Sequence, residues 1–333
     1  MDPRDPFSAR LAKVNDDKAE VGNEEAARKI LADLESSRFK VSKIVNRQLS
    51  RKAPPPFITS TLQQAGSSLY GFTPNRTMRI AQTLYEGVDF GEGPEGLITY
   101  MRTDSVSIAK GAQDACREFI GTTYGSDHVP ESPPRFKSRG SAQEAHEAVR
   151  PTNVTRRPDD LGSVLKPDEL KLYELIWKRF VASQMAPARI AQRTIEIEAR
   201  SETGGAKPST YLFRATTSDV VFPGYMKVTG QDRRKSKDGE TGEEVEKIPP
   251  LEEGESIEHL DWIQEQKFTQ PPPRYSEASL VRALEENGVG RPSTYAQVLS
   301  TIQSREYVER EKRNLMPTDL GMKVNDFLVG NLP

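Results

Sequence analysis

One cysteine in 333 residues, Cys116, leaves no partner for an intramolecular disulfide and excludes a zinc site built of cysteines alone within this chain. The default setting for such a chain is reducing and cytoplasmic. Long apolar runs are missing too. None approaches the roughly 18 residues a membrane-spanning helix needs, mean hydropathy is -0.67, and residues 1–25 hold no apolar core of a signal peptide. No membrane partner is expected. Neither charge dominates: 47 basic side chains face 49 acidic ones, for a net charge of -2 and an isoelectric point near 6.1. A dedicated nucleic-acid binder usually has a basic balance, so any contact with phosphate has to come from local clusters. Arg76 with Arg79, Arg102, and Arg135-Phe136-Lys137-Ser138-Arg139 are available, and each could equally be a solvated face. Acidic stretches near Glu243 and Glu252 offset them. The length suffices for two or three domains.

What is present centres on Gly96-Leu97-Ile98-Thr99-Tyr100-Met101-Arg102-Thr103-Asp104-Ser105. Its β-forming residues follow a turn, Gly91-Glu92-Gly93-Pro94, so residues 97–101 read as a short strand that becomes polar abruptly. Side chains alternate along a strand, which aligns Tyr100, Arg102 and Asp104 on one side. A phenol with a pKa of about 10 is a poor nucleophile at neutral pH, and a fixed cation beside it favours the phenolate. The same guanidinium can hold a phosphate through two hydrogen bonds, with Asp104 fixing its orientation. These residues suggest tyrosine attack on a phosphodiester. Taken alone, though, a tyrosine in an apolar strand is ordinarily core and an Arg followed by Asp ordinarily a surface ion pair.

Other stretches decide between the two. Ile98 to Ser105 resembles the active-site segment of type IA DNA topoisomerases, with Met101 matching the bacterial topoisomerase I branch. The same family is matched, in the same order, by Pro56-Phe57-Ile58-Thr59-Ser60-Thr61-Leu62-Gln63-Gln64-Ala65, by Ser141-Ala142-Gln143-Glu144-Ala145-His146-Glu147-Ala148-Val149-Arg150-Pro151-Thr152, by residues 173–186, and by Gly288-Val289-Gly290-Arg291-Pro292-Ser293-Thr294-Tyr295. Together they cover nearly the whole chain.

Read in order, residues 7–18 are strand-like and end in a polar turn; Asn23 caps a helix striped by Ala27, Ile30, Leu31 and Leu34. Phe39, Val41 and Ile44-Val45 suggest a strand, and Pro54-Pro55-Pro56 a boundary. Residues 59–69 read as a helix stopped near Gly71. Thr73-Pro74 opens a second, whose buried stripe is Met78, Ala81, Leu84 and Tyr85 and which Gly87 ends. Two helices, a turn and the Tyr100 strand form a winged-helix-like pattern. Residues 114–124 are helical; residues 141–149 should present His146 on a short helix, where a single histidine is ordinarily a surface residue. Residues 168–185 form an amphipathic helix with core aromatics. Beyond Pro187 the period changes to two, at residues 194–199, 211–217 and 257–262, which indicates antiparallel sheet; residues 231–246 read as a charged mobile loop. Pro271-Pro272-Pro273 marks the next boundary. Ser276 caps a helix, Thr294 and Gln297 stand at capping-box spacing before another, and strands around Val308 and Leu315 complete a second winged-helix-like set whose element order repeats the first.

The fold class is therefore α+β and multidomain. An antiparallel β domain (1–58 and 187–270) is interrupted by a mostly helical catalytic-tyrosine domain (59–186) and followed by a partial winged-helix-like DNA-binding domain (271–333). The two crossings would make a hinge. The resemblance implies that Tyr100 attacks a strand of single-stranded or negatively supercoiled DNA and forms a 5′-phosphotyrosine. It further implies that Arg102, Asp104 and His146 serve at the phosphate, and that Arg291, Thr294, Arg305 and Arg150 bind the strand. Religation would need no ATP, and repeated strand passage would relax negative supercoils. It also implies Mg²⁺ in the full enzyme, held by a toprim domain. No Asp-x-Asp-x-Glu occurs here and no zinc ribbon follows, so the chain is expected to be a central fragment of a monomeric, nucleoid-associated cytoplasmic enzyme, inactive in relaxation by itself and holding no metal. A single-strand-binding module without catalysis and a protein-interaction scaffold are the alternatives from other classes.

Overall fold

The computed structural model describes residues 6–35, 37–90, 93–137, 146–201, 208–231 and 248–332. Two compact units emerge. One comprises Met1–Arg51 with Pro187–Lys267, the other Lys52–Ala186 with Phe268–Pro333.

The first unit opens on a hairpin, β1 (Arg10–Val14) and β2 (Asp17–Lys18). Its two turn residues, Asn15 and Asp16, have φ of 50° and 71°, the left-handed conformation that a two-residue turn between twisted strands requires and that Asn and Asp tolerate best. Helix α1 (Glu24–Leu34) is capped as expected, the Asn23 side chain accepting the Ala26 N–H at 2.8 Å. After β3 (Arg38–Arg51) the chain enters the second unit.

There α2 (Thr59–Tyr70) ends at Gly71, whose φ of 67° is the left-handed cap the sequence implied. Thr73 caps α3 (Pro74–Glu86) by accepting the Arg76 N–H at 3.2 Å, with Pro74 in the first turn. The buried stripe of α3 is Thr77, Ile80, Ala81 and Leu84. Met78 and Tyr85, expected inside, lie a position to one side of that stripe, and Tyr85 is 40% exposed. A two-residue ladder, β4 (Val88–Asp89) with β5 (Pro94–Glu95), precedes the Tyr100 segment; Gly91 and Glu92 of the expected turn lie outside the described residues. Next come α4 (Lys110–Tyr124) and α5 (Pro167–Ser183). Helix α5 is the spine of this unit: Leu172, Tyr173, Ile176 and Phe180 are almost wholly buried, so its aromatics are core. Their polar ends are satisfied. Tyr173 Oη donates to the Arg156 carbonyl at 2.8 Å and Trp177 Nε1 to that of Val154 at 2.8 Å. Burial, above all, raises the pKa of Tyr173 and keeps its phenol neutral.

The chain returns to the first unit with β6 (Ala188–Arg200) and β7 (Thr210–Phe222), then a single turn, α6 (Met226–Thr229), and β8 (Ser256–Ile257). The sheet order is β2-β1-β7-β6-β3-β8, antiparallel at every pairing. Period two holds along β6, where Ile195, Ile197 and Ala199 are buried against Leu34, Val41, Tyr211 and Phe213 while Glu196 lies opposite Lys43 and bonds Arg214 at 2.7 Å. Burial and a 2.7 Å bond to Asp33 push the Tyr211 phenol up to about 12. The strand expected at 257–262 stops at Ile257. Beyond it Asp261 binds the Trp262 N–H at 2.7 Å through its own side chain, and Trp262 serves as a plug instead, its ring 6.0 Å from Phe39 and 5.8 Å from Phe213. Apart from Gln231, the expected loop at 231–246 lies outside the described residues.

The second unit finishes with α7 (Glu277–Glu286), α8 (Tyr295–Ser304), the hairpin β9 (Val308–Glu311) and β10 (Asn314–Pro317), and α9 (Asp319–Asn331). Ser276 caps α7 as expected, accepting the Ser279 N–H at 3.2 Å. The capping box at α8 does not form. Thr294 is already helical, and its hydroxyl turns back to the Arg291 N–H at 2.8 Å while Gln297 faces Thr301. Among the described residues no helix is long and apolar enough to cross a membrane.

Candidate active site

Residues 97–101 form one isolated bridge, Ile98 to Pro151, rather than the expected strand, and the chain bends at Met101 and Arg102. Pro151 has no N–H to continue a ladder. The neighbouring bonds are complete: Thr99 N–H to the Arg150 carbonyl at 2.9 Å and Thr152 N–H to that of Leu97 at 3.0 Å. Entry to the segment is fixed at Leu97, whose N–H binds the Leu84 carbonyl at the end of α3 at 2.8 Å. Gly96 makes this approach possible, because a Cβ there would lie 2.6 Å from the Tyr85 carbonyl oxygen.

Alternation survives without the strand. Met101, Thr103 and Ser105 are at most 1% exposed, whereas Tyr100 is 41% exposed, Arg102 is exposed and Asp104 half-buried. The row of phenol, guanidinium and carboxylate therefore shares one side, as its spacing implied, and that side faces outward. Arg102 makes no ion pair among the described residues, so its fork is open to an anion.

His146 joins this row from a different element than expected. Residues 141–145 lie outside the described ones, and from His146 to Thr152 the chain is not helical but carries isolated bridges at Val149 and Pro151. The cause is its hydrogen bonding: Ala148 N–H goes to the Ser107 carbonyl and Val149 N–H to that of Phe57, each at 2.8 Å, and Arg150 N–H to Thr99 Oγ1 at 3.0 Å. Donors committed across the chain cannot close helical turns. The half-buried His146 ring stands 6.4 Å from the Tyr100 ring, inclined at 64°. On another side Tyr85 meets Tyr100 edge-on at 5.4 Å. Sequence reasoning assigned Tyr85 to the core; the missed signal was that the true stripe, at i, i+3, i+4 and i+7 from Thr77, leaves position 85 beside it.

The remaining predicted residues are dispersed. Arg150 is turned inward, bonding Glu147 through Nε at 3.0 Å and through Nη2 at 2.6 Å, and the Pro151 carbonyl through Nη1 at 2.9 Å. Its charge also reaches Cys116, whose thiol burial pushes up to about 12 against the pull of Arg150. Arg291 and Thr294 form a tight turn in which Arg291 Nη1 donates to the Gly290 carbonyl at 2.7 Å, and Arg305 is exposed at the far end of α8. No hydrogen bond, ion pair or ring contact among the described residues joins these three to Tyr100 or His146. Of the phosphate-binding clusters, Arg76 is engaged by Asp168 and the Phe72 ring, Arg79, Arg135 and Lys137 are exposed, and Ser138 and Arg139 lie outside the described residues.

Among the described residues no group of three or more His, Cys, Asp or Glu side chains could hold a metal. The described residues therefore offer no donor set for Mg²⁺.

A family model described as DNA topoisomerase matches residues 5–333. DNA topoisomerase 1 of Rickettsia bellii is 46% identical over 328 residues, and that of Xylella fastidiosa (strain 9a5c) 42% over 337; these alignments cover 97% and 99% of this chain. Each covers 40% of the relative, so the chain spans about two-fifths of the length of the curated proteins it matches. Full-length topoisomerase I from Thermotoga maritima aligns in structure with a TM-score of 0.76 at 35% identity, covering 97% of this chain and 52% of that one. An exposed tyrosine on a pinned segment, a histidine ring beside it, and family likeness along the whole chain lead to one assignment: this chain belongs to the bacterial type IA DNA topoisomerases.

Proposed function

We propose that Tyr100 is the nucleophile of transient single-strand DNA cleavage. Its phenolic oxygen attacks a phosphodiester, the phenol proton departs, the bond to the 3′ oxygen breaks, and a 5′-phosphotyrosine and a free 3′-hydroxyl result. The adduct conserves one phosphodiester, so the reverse attack by the 3′-hydroxyl reseals the strand without ATP. Arg102 neutralises charge on the phosphate, His146 hydrogen-bonds to it, and Asp104 orients the guanidinium side of the row. Arg291, Thr294 and Arg305 contribute to holding the strand, whereas Arg150, its guanidinium spent on Glu147 and the Pro151 carbonyl, braces the strip that carries His146. The arrays α2-α3-β4-β5 and α7-α8-β9-β10 are read as winged-helix-like units that present it. A second strand passing through the opened protein relaxes negative supercoils. This whole activity belongs to a monomeric cytoplasmic enzyme in which a toprim domain supplies Mg²⁺ and the leaving-group chemistry; the present chain by itself does not relax DNA.

What carries this reading is the outward row from Tyr100 to Asp104 on a backbone whose alternate residues are buried, with the His146 ring 6.4 Å from the phenol ring. A core tyrosine would be buried and a surface ion pair would close Arg102. The test mixes this chain, Mg²⁺ and a labelled single-stranded oligonucleotide, with and without a separately made toprim domain, and looks for a detergent-resistant adduct. An adduct only in the complete mixture, lost in Tyr100→Phe, is expected. The absence of any adduct despite association of the two proteins would put the single-strand-binding module in its place.

A further inference from the structure

The Tyr100 segment rests on a residue that no motif singles out by chemistry. Thr59 stands in the first turn of α2 and is wholly buried. Its N–H donates to the Thr103 carbonyl at 2.9 Å. Its hydroxyl accepts the Thr103 N–H at 2.9 Å and faces the carbonyls of Met101 at 2.7 Å and Thr103 at 3.0 Å. A hydroxyl has one proton and two lone pairs, so this one group satisfies a donor and an acceptor on either side of Arg102. None of this is helix capping: Ile58 is the N-cap, and the Thr59 side chain turns away from its own helix.

The pinned peptides are the ones that decide where the reactive side chains go. Arg102 hangs between the bonded carbonyl of Met101 and the bonded N–H of Thr103, and Tyr100 is the residue before Met101. On the near side Thr99 repeats the device: its hydroxyl donates to the Ala148 carbonyl at 2.6 Å and accepts the Arg150 N–H at 3.0 Å, tying the segment to the strip that carries His146. Thus Tyr100 and Arg102 project from a stretch held at both ends by threonine hydroxyls. Reactive groups lose effectiveness when displaced by as little as about 1 Å.

We propose that Thr59 is a positioning residue for Tyr100 and Arg102, acting through its hydroxyl on the backbone that flanks Arg102. The proposal rests on the reading of Tyr100 as nucleophile and Arg102 as its phosphate partner. Thr59→Val keeps the bulk and strands a buried N–H and carbonyl; Thr59→Ser keeps the hydroxyl and removes only a methyl group.

The experiment compares the wild-type chain with both variants by amide hydrogen exchange and by the single-turnover rate of adduct formation in the toprim-supplemented mixture. In Thr59→Val the Thr103 amide should exchange about 10- to 100-fold faster, and the adduct rate should fall at least tenfold, on the order expected from losing a buried hydrogen bond. Oligonucleotide affinity should stay within about twofold, since the exposed cations remain. Thr59→Ser should restore both. Wild-type behaviour of Thr59→Val, or failure of Thr59→Ser to rescue, overturns the proposal. So does an equal acceleration at Ile176 in α5, which would mark general loosening. If the wild-type chain forms no adduct at all, the proposed reaction fails, and exchange at Thr103 still decides whether Thr59 fixes the segment.

Discussion

Cys116 shows how far a residue's surroundings can silence its chemistry. Its thiol is fully buried on the inner face of α4, and burial pushes it up to about 12 even though the nearby Arg150 guanidinium favours the thiolate. Only the thiolate reacts, so burial leaves very little of the reactive form at neutral pH. In Arg150 the same proximity has an opposite aspect, since its fork is spent on Glu147 and a carbonyl. Arg102 is the contrasting case, exposed and unpaired among the described residues. We expect a disulfide-exchange reagent such as dithionitrobenzoate to label Cys116 at least 100-fold more slowly in the native protein than in denaturant. Rapid native labelling would mean that α4 opens freely or that the thiol is less buried than described.

At the level of elements, the site depends on two strips outside regular helix and sheet, residues 96–105 and 146–152. Gly96 controls the first crossing. Alanine there would drive a Cβ to 2.6 Å from the Tyr85 carbonyl, which is backbone and cannot swing away. Gly96→Ala should cost about 1–3 kcal/mol in urea unfolding, as overpacked sites do, and slow adduct formation with it, because the displaced strip carries Tyr100. Unchanged stability would show that the end of α3 yields. Legibility in the sequence divides along the same line. Helix ends were readable at Asn23, Gly71, Thr73-Pro74 and Ser276, because a cap is a local bargain between a side chain and nearby N–H or C=O groups. That Tyr100, Arg102 and Asp104 share one side was readable from alternation alone; that this side faces outward was not. Strand 97–101, the described end of the expected helix (146–149) and the α8 capping box were misread for a common reason: partners far along the chain, Pro151, Phe57 and Thr99, or a turn back to Arg291, took the bonds that local pattern assigned elsewhere. Tyr85 and Thr59 were missed because an aromatic near a helical stripe and a threonine in a first turn have ordinary local explanations.

For the chain as a whole, the near balance of 47 basic and 49 acidic side chains supplies no net positive charge to attract a nucleic-acid strand from a distance. Attraction has to be short-ranged, from cations left open by the fold. Arg102, Arg291 and Arg305 are exposed, whereas Arg76 and Arg150 are consumed by Asp168 and Glu147. Each phosphate neutralised on a single strand contributes about -0.7 to the slope of log K against log salt. Three such contacts give a slope of about -2, far shallower than a basic DNA-binding domain produces. Fluorescence anisotropy with a labelled single-stranded oligonucleotide between about 20 and 200 mM salt should find that slope. Arg102→Ala and Arg291→Ala should each remove about 0.7 from it, and Arg150→Ala should leave it unchanged, because that guanidinium already serves Glu147. A slope steeper than about -5 would require many more cations at the strand than the exposed ones named here, and would shift the binding face to another part of the surface. A loss on removing Arg150 equal to that on removing Arg102 would mean that DNA displaces Glu147 and recruits the inward arginine, making the Glu147–Arg150 pair a latch on the strip that carries His146.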